Sequence, residues 1–222
     1  MADVMQLVAE RKIVPVVKLD RVEDAKPLGE ALCEGGLPVA EVTFRTDAAE
    51  ESIRVMKKAF PEMLVGAGTV VNVEQAKRAL DAGAAFIVSP GFSAKVTEFA
   101  LDHNIPVLPG TCTPTEVMAA MEYGLKVVKF FPAKQYGGLD TIKALAAPFP
   151  TMKFMPTGGI SAANILDFLA FGKIIACGGS WMVKATCWTR GSRRGCGLFR
   201  SSTASATPAT GRSATTTPPT TW

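Results

Sequence analysis

The sequence predicts an α/β fold built from repeated strand–helix units, and three observations predict it. Short β-rich runs alternate with helical patterns along residues 1–184, and strict β–α alternation calls for a parallel sheet with helical crossovers. Eight such units, of about 22 residues each, suit a compact (β/α)8 barrel of the TIM type better than an open sheet. Two glycine-rich turns, Pro156-Thr157-Gly158-Gly159 and Cys177-Gly178-Gly179-Ser180, close the last two strand runs, where barrels of this kind usually hold a phosphate. A doubly wound sheet is the alternative that alternation alone leaves open.

Residues 1–12 form a short amphipathic pattern of mixed charge, a capping helix rather than a signal peptide. Strands are expected at 13–19, 39–44, 63–69, 86–90, 106–110, 127–133, 153–159 and 174–180, each rich in β-branched or apolar residues. Helices are expected between them at 21–35, 48–60, 73–82, 93–104, 115–123, 139–147 and 162–171. Several carry start and stop signals: Asn72 before and Gly83 after the helix at 73–82, Ser161 before and Gly172 after the last one.

With 222 residues, 48% of them hydrophobic, the chain can bury the core of a single barrel domain. No apolar run approaches the roughly 18 residues of a membrane span. The cysteines at 33, 112, 177, 187 and 196 lack paired metal-ligand spacing, and His103 is the only histidine. A zinc site, a disulfide framework and a histidine-based triad are therefore not expected, and a reducing cytoplasm is. The formal charge of +4 is misleading. Five of the 24 basic residues are arginines of residues 185–222, which hold no acid, so 1–184 carries 19 basic against 20 acidic residues. That balance gives no electrostatic footing for nucleic acid or an anionic membrane.

The stretch Val127-Val128-Lys129-Phe130-Phe131-Pro132-Ala133-Lys134 sets a lysine inside an apolar strand. Burying an unpaired ammonium is costly, so such a lysine is paired or neutral, and a neutral amine is the nucleophile that Schiff-base chemistry needs. A lysine that snorkels from the strand end is the bland alternative. In Val39-Ala40-Glu41-Val42-Thr43-Phe44-Arg45 the period of two places Glu41, Thr43 and Arg45 on one face. Helices cover the apolar face, so the polar trio should line the barrel mouth with Lys129. Lys18 is a rival lysine that parity does not exclude, although the adjoining charged turn favours an ordinary strand-end role. Glycines 158, 159 and 179 let backbone amides approach an anion, with a following helix N-terminus adding a favourable dipole. Thr69, after Gly66-Ala67-Gly68, is either a hydroxyl donor at the mouth or plain turn chemistry.

Six segments occur together in the order and spacing of one family: Glu41-Val42-Thr43-Phe44-Arg45-Thr46, Gly66-Ala67-Gly68-Thr69-Val70, Ser89-Pro90-Gly91, Lys129-Phe130-Phe131-Pro132-Ala133, Pro156-Thr157-Gly158-Gly159-Ile160 and Gly178-Gly179-Ser180-Trp181. Over residues 6–184 the chain resembles the 2-keto-3-deoxy-6-phosphogluconate aldolases, which also act as 4-hydroxy-2-oxoglutarate aldolases. The resemblance implies a metal-free class I lyase without a cofactor, a (β/α)8 barrel, and a homotrimer that acts on a keto-acid phosphate. It implies Lys129 as the Schiff-base lysine and Glu41 as the acid/base working through a water. Arg45 and Thr69 would hold the pyruvyl carboxylate, and Phe131 and Thr157 would border the reacting centre. Gly158, Gly159, Gly179 and Ser180 would bind the phosphate.

The chain departs from the family at two places. Lys134 stands where a small or acidic residue is expected. After Trp181-Met182-Val183-Lys184 a Thr/Ser/Arg-rich tail, 185–222, replaces the family's final amphipathic helix. We read this tail as disordered and as a frame-shifted translation: Thr186-Cys187-Trp188-Thr189-Arg190 can be written ACN TGY TGG ACN CGN, and the frame one base back permits Asp-Leu-Leu-Asp-Ala. A natural disordered tail also fits the composition. Beside the aldolase stand two other readings: a barrel that binds phosphate without catalysing, and an isomerase on a similar barrel. The strand lysine and the lack of a histidine base argue against the isomerase.

Overall fold

The computed structural model describes residues 4–183. Helix α1, Val4–Arg11, leads into β1, Ile13–Val17. There follow α2 (Ala25–Glu34), β2 (Val39–Thr43), α3 (Ala49–Ala59), β3 (Leu64–Gly68), α4 (Val73–Asp81), β4 (Ile87–Val88) and α5 (Ala94–Asp102). The second half runs β5 (Val107–Leu108), β6 (Gly110–Thr111), α6 (Pro114–Glu122), β7 (Val127–Phe130), α7 (Gly138–Ala146), β8 (Lys153–Pro156), α8 (Ile165–Leu169) and β9 (Cys177–Gly179). The segment read above as tail lies outside the described residues, as do residues 1–3 of the predicted first helix.

Every strand pairing is parallel, as helical crossovers require. One sheet runs β5-β4-β3-β2-β1-β9 and the other β6-β7-β8. β5 and β6 flank Pro109, which has no N–H to give the ladder, yet its carbonyl accepts from Lys129 N–H at 2.9 Å. At the other side, isolated parallel bridges join Phe154 to Ile174 and Thr157 to Gly178. The result is an α/β fold around a curled parallel sheet.

The period-two pattern of the strands decides what is inside. Val14, Val39, Phe86, Val88, Leu108 and Met155 form an inner cluster with Val8 of α1. The alternate residues, such as Val17, Val42 and Val65, pack outward against α2 to α5. Val128, Phe130 and Phe154 do the same against α6 to α8. The capping signals at 73–82 are as expected. Asn72 accepts from Gln75 N–H at 2.8 Å, and Gly83 follows the helix in a left-handed conformation, φ 84°.

The elements are shorter than expected at their C-terminal ends. The strands predicted to reach 69 and 159 stop at Gly68 and Pro156 because Thr69 (φ 56°), Gly158 (97°) and Gly159 (74°) leave the β region. The helix expected at 162–171 is only Ile165–Leu169. Ser161 does not cap it, since the Asn164 side chain accepts from Ser161 N–H at 2.8 Å and holds 161–164 as a turn. The helix expected at 21–35 opens with a single 3-10 turn, Val22–Asp24, before α2.

Candidate active site

Glu41 projects inward from β2, next but one to Val39 of the inner cluster, and is fully buried. Lys129 projects inward from β7, next but one to Val127, and is 5% exposed. The register sets Lys129 between Gly110 and Met155, and curling of the sheet brings its Nζ to 3.3 Å from Glu41 Oε1. The amine also lies 5.1 Å from the centroid of the Phe131 ring, within cation–π range. A buried amine–carboxylate pair is retained only when each charge compensates the other. Here Glu41 Oε2 has no hydrogen-bond partner, so half of the carboxylate's accepting capacity is unspent.

The neighbouring strand has been cleared to make room for that carboxylate. β3 pairs Thr43 with Gly68, and a Cβ on Gly68 would lie 2.6 Å from Glu41 Cγ and 2.8 Å from Cδ, and would overlap Oε1. Thr43 is tied down, its hydroxyl donating to the Val17 carbonyl at 2.9 Å. On β7's own flank, Thr111 Oγ1 donates to the Lys129 carbonyl at 3.3 Å, fixing the backbone beneath the amine.

Beside the pair opens a cavity of about 380 Å³. Its wall includes Thr43, Arg45, Phe131 and Thr157, with the turns Gly158-Gly159-Ile160 and Gly179-Ser180. Arg45 is exposed at the rim, with no ion pair or hydrogen bond among the described residues. Thr157 Oγ1 is buried without a partner, and Gly178 must be glycine beside it, because a Cβ there would overlap that oxygen and lie 3.2 Å from its Cγ2. Gly158 and Gly159 both take the left-handed conformation that L side chains rarely adopt, φ 97° and 74°. The stem of Lys134 packs on Gly159, where an added Cβ would meet its Cδ at 2.9 Å.

Most of the sequence-predicted site is thus gathered: the Lys129–Glu41 pair, and a wall holding Arg45, Phe131, Thr157, Gly158, Gly159, Gly179 and Ser180. Thr69 is not in the wall, and neither are Lys129 and Glu41, although the Phe131 ring 5.1 Å from the amine is. Thr69 is half-buried just past β3 with φ 56°, a strained conformation for a β-branched residue. The helix dipole expected behind Gly158-Gly159 is not in place either, because α8 starts at Ile165 and has five residues. Lys18 has the strand-end character expected of it, exposed and paired with Asp20, but it also stands in the wall with Val16. The signal that could have found it is parity with Val14 and Val16, which point inward. Among the described residues no three His, Cys, Asp or Glu side chains gather as a metal site. The Cys177 thiol on β9 is pushed up to about 12 by burial, which keeps it protonated and unreactive.

An inward amine beside an inward carboxylate can form a carbinolamine with a ketone and pass protons to and from it. Comparison with known proteins points to the same chemistry. A family model described as KDPG and KHG aldolase matches residues 4–193. The 2-dehydro-3-deoxy-phosphogluconate aldolase of Treponema pallidum (strain Nichols) is 46% identical over 185 residues, covering 83% of this chain and 88% of the relative. The KHG/KDPG aldolase of Escherichia coli (strain K12) is 46% identical over 173 residues, 78% of this chain and 81% of the relative. The crystal structure of a KDPG aldolase from Legionella pneumophila, with pyruvate captured at low pH as a covalent carbinolamine intermediate, superposes with a TM-score of 0.80 at 36% identity, covering 84% and 90% of the two chains.

Proposed function

Because the chain belongs to the KDPG and KHG aldolase family, we propose that it is a class I carbon–carbon lyase whose Schiff-base lysine is Lys129. It cleaves 2-keto-3-deoxy-6-phosphogluconate to pyruvate and glyceraldehyde 3-phosphate. It also cleaves 4-hydroxy-2-oxoglutarate to pyruvate and glyoxylate, in keeping with the double name of the Escherichia coli relative. The observation that carries the assignment of the residues is the buried Lys129 Nζ–Glu41 Oε1 contact of 3.3 Å beside a cavity with a cation at its rim.

Glu41 takes a proton from the Lys129 ammonium, and the free amine adds to the C2 ketone to give a carbinolamine. Loss of water, with a proton from Glu41, leaves an iminium. Glu41, through a water, then takes the proton of the C4 hydroxyl. The C3–C4 bond breaks, its electrons pass into the iminium to form an enamine, and the aldehyde departs. Glu41 returns the proton at C3, and water hydrolyses the new iminium to pyruvate, leaving the amine and its proton on the Lys129–Glu41 pair. Covalent catalysis of this kind divides one difficult cleavage into easier steps. Arg45 holds the pyruvyl carboxylate in this reading, while Phe131 and Thr157 border the reacting carbons. The amides of Gly158, Gly159 and Gly179 with the Ser180 hydroxyl take the phosphate. Thr69 is assigned to the carboxylate through the family resemblance alone, since it stands outside the cavity wall.

We read residues 1–184 as one closed (β/α)8 barrel. Support comes from the single residue between β5 and β6 and from the bridges that link β8 to residues 174–178. The family resemblance supports a homotrimer. A cytoplasmic location is supported by unpaired Cys33, Cys112 and Cys177, and by the absence among the described residues of a helix able to cross a membrane. The test of function is pyruvate with borohydride followed by peptide mapping. A reduced adduct on Lys129 is expected. An adduct on Lys18 would overturn the assignment, and no adduct would favour a barrel that binds phosphate without catalysing.

A further inference from the structure

Thr43 is used by none of the steps above, although it shares a strand face with Glu41. β2 carries the two side chains inward two residues apart, with Thr43 nearer the mouth. Their polar ends lie closer than that spacing suggests. β3 pairs Glu41 with Gly66 and Thr43 with Gly68, yet it is at Gly68 that an added Cβ would meet Glu41, 2.6 Å from its Cγ and 2.8 Å from its Cδ. The carboxylate therefore leans up the strand to the level of Thr43. Glu41 is fully buried and outside the cavity wall, whereas Thr43 belongs to the wall.

A hydroxyl has one hydrogen to give and two lone pairs to accept with. Thr43 Oγ1 lies 2.9 Å from the Val17 carbonyl, and a carbonyl cannot donate, so the hydrogen of Thr43 is spent there. Towards the cavity Thr43 can only accept. The cations of the same wall, Lys18 and Arg45, can only donate, and among the described residues no carboxylate joins them. Thr43 is thus the wall side chain committed to receiving a hydrogen bond.

The two proposed substrates differ in what they bring to such a group. In both, the C4 hydroxyl gives its proton towards Glu41. The next carbon of 2-keto-3-deoxy-6-phosphogluconate carries a hydroxyl, which donates; in 4-hydroxy-2-oxoglutarate it is a carboxylate, which only accepts. With C2 on Lys129, C5 is the carbon beyond the one that Glu41 serves, and Thr43 is the residue beyond Glu41 on the same face. An acceptor there satisfies the first substrate and sets lone pair against lone pair in the second.

We propose that Thr43 is a specificity-determining residue, whose Oγ1 accepts the hydrogen bond of the C5 hydroxyl and favours keto acids hydroxylated at that carbon over those with a carboxylate there. The proposal rests on the aldolase reading above, which supplies both substrates.

The experiment measures kcat/KM on 2-keto-3-deoxy-6-phosphogluconate, on its 5-deoxy analogue and on 4-hydroxy-2-oxoglutarate. It compares the wild-type chain with Thr43→Val, Thr43→Ala and Thr43→Ser. A site that hydrogen-bonds a substrate hydroxyl rejects the analogue lacking it, and one neutral bond is worth severalfold to about tenfold. The wild type should therefore prefer the hydroxylated substrate to its analogue by about tenfold. In Thr43→Val, which keeps the shape of the side chain and loses the acceptor, that preference should all but vanish. The preference over 4-hydroxy-2-oxoglutarate should fall by about the same factor. Thr43→Ala should show the same collapse without the bulk of valine, and Thr43→Ser, which keeps the hydroxyl, should restore both preferences. Losing only the bond to Val17 would slow all the substrates together and leave their ratios untouched. Unchanged ratios in Thr43→Val and Thr43→Ala, or no preference over the analogue in the wild type, would overturn the proposal. Trapping of pyruvate at Lys129 is the control, because pyruvate has neither C4 nor C5. A wild-type chain that formed no adduct would bring down the aldolase reading and the proposal with it, whereas an adduct with unchanged ratios would refute the proposal alone.

Discussion

Gly68→Ala tests whether the position of the Glu41 carboxylate, rather than its mere presence, sets the rate. An alanine Cβ at this site would lie 2.6 Å from Glu41 Cγ and 2.8 Å from Cδ, where ordinary contact begins at 3.4 Å, so the side chain must retreat by about 0.8 Å. It has little freedom to do so, being fully buried and bonded to Lys129. Overpacking of this kind costs about 1–3 kcal/mol, or roughly 3 °C of melting temperature per kcal/mol for a domain of this size. A displacement approaching 1 Å at a proton-transfer group costs up to about a hundredfold in rate. The assay is kcat for aldol cleavage, measured beside borohydride trapping of pyruvate and thermal melting. We expect kcat to fall by tens-fold to about a hundredfold while the adduct at Lys129 still forms. Gly66→Ala is the comparison: its Cβ would instead strike Phe86 of the inner cluster, Cδ2 at 2.6 Å. It should lower the melting temperature with a smaller fall in kcat. Wild-type kcat in a folded Gly68→Ala, or parallel losses of kcat and adduct formation in both variants, would refute the reasoning.

Lys129→Met should abolish the adduct and reduce turnover by at least about a thousandfold. Glu41→Gln should slow cleavage by roughly 10²–10⁴-fold while still permitting imine formation, so a Glu41→Gln chain that could not be trapped would assign Glu41 a structural role. Ser180→Asp sets charge against charge at the rim. It should weaken phosphorylated substrate far more than 4-hydroxy-2-oxoglutarate, and equal losses would place the phosphate elsewhere. For Cys177 the folded thiol, pushed up to about 12, keeps its proton where an ordinary thiol near 9 has lost it. The folded state thus binds more protons between those values, and its stability is full below pH 9 and declines as pH rises beyond it. Urea unfolding from pH 8 upward should show that decline in the wild type and a shallower one in Cys177→Ala. Identical slopes would remove the thiol as the cause. Replacing residues 185–222 by the translation one base back should raise melting temperature and activity together; no gain in either would refute the frame-shift reading.

The amino-acid pattern alone carried the alternation of strands and helices, because that information is local. A period of two or of 3.6 is written in neighbouring residues. For the same reason the inward placement of Glu41, Thr43 and Lys129 was legible from parity within each strand. The glycine turn at 158–159 was legible too, since few other residues adopt the required backbone.

Tertiary structure decided what depends on approach between distant segments. Glu41 and Lys129 are 88 residues apart in the chain, and only the curl of the sheet brings them to 3.3 Å. Gly68 looks like turn chemistry in the sequence, but its missing Cβ is the space that the Glu41 carboxylate occupies. For Thr69 the sequence left a hydroxyl donor at the mouth and plain turn chemistry both open, and the residue lies outside the cavity wall with a left-handed backbone. Lys18 was legible only in part. It is the solvated strand end, paired with Asp20, that its neighbours in sequence suggest, but it also lines the cavity wall with Val16 and Thr43. Sequence periodicity reports which face of a strand a residue occupies; which residues share that face is set by the register of strands far apart in the chain, and the site was assembled there.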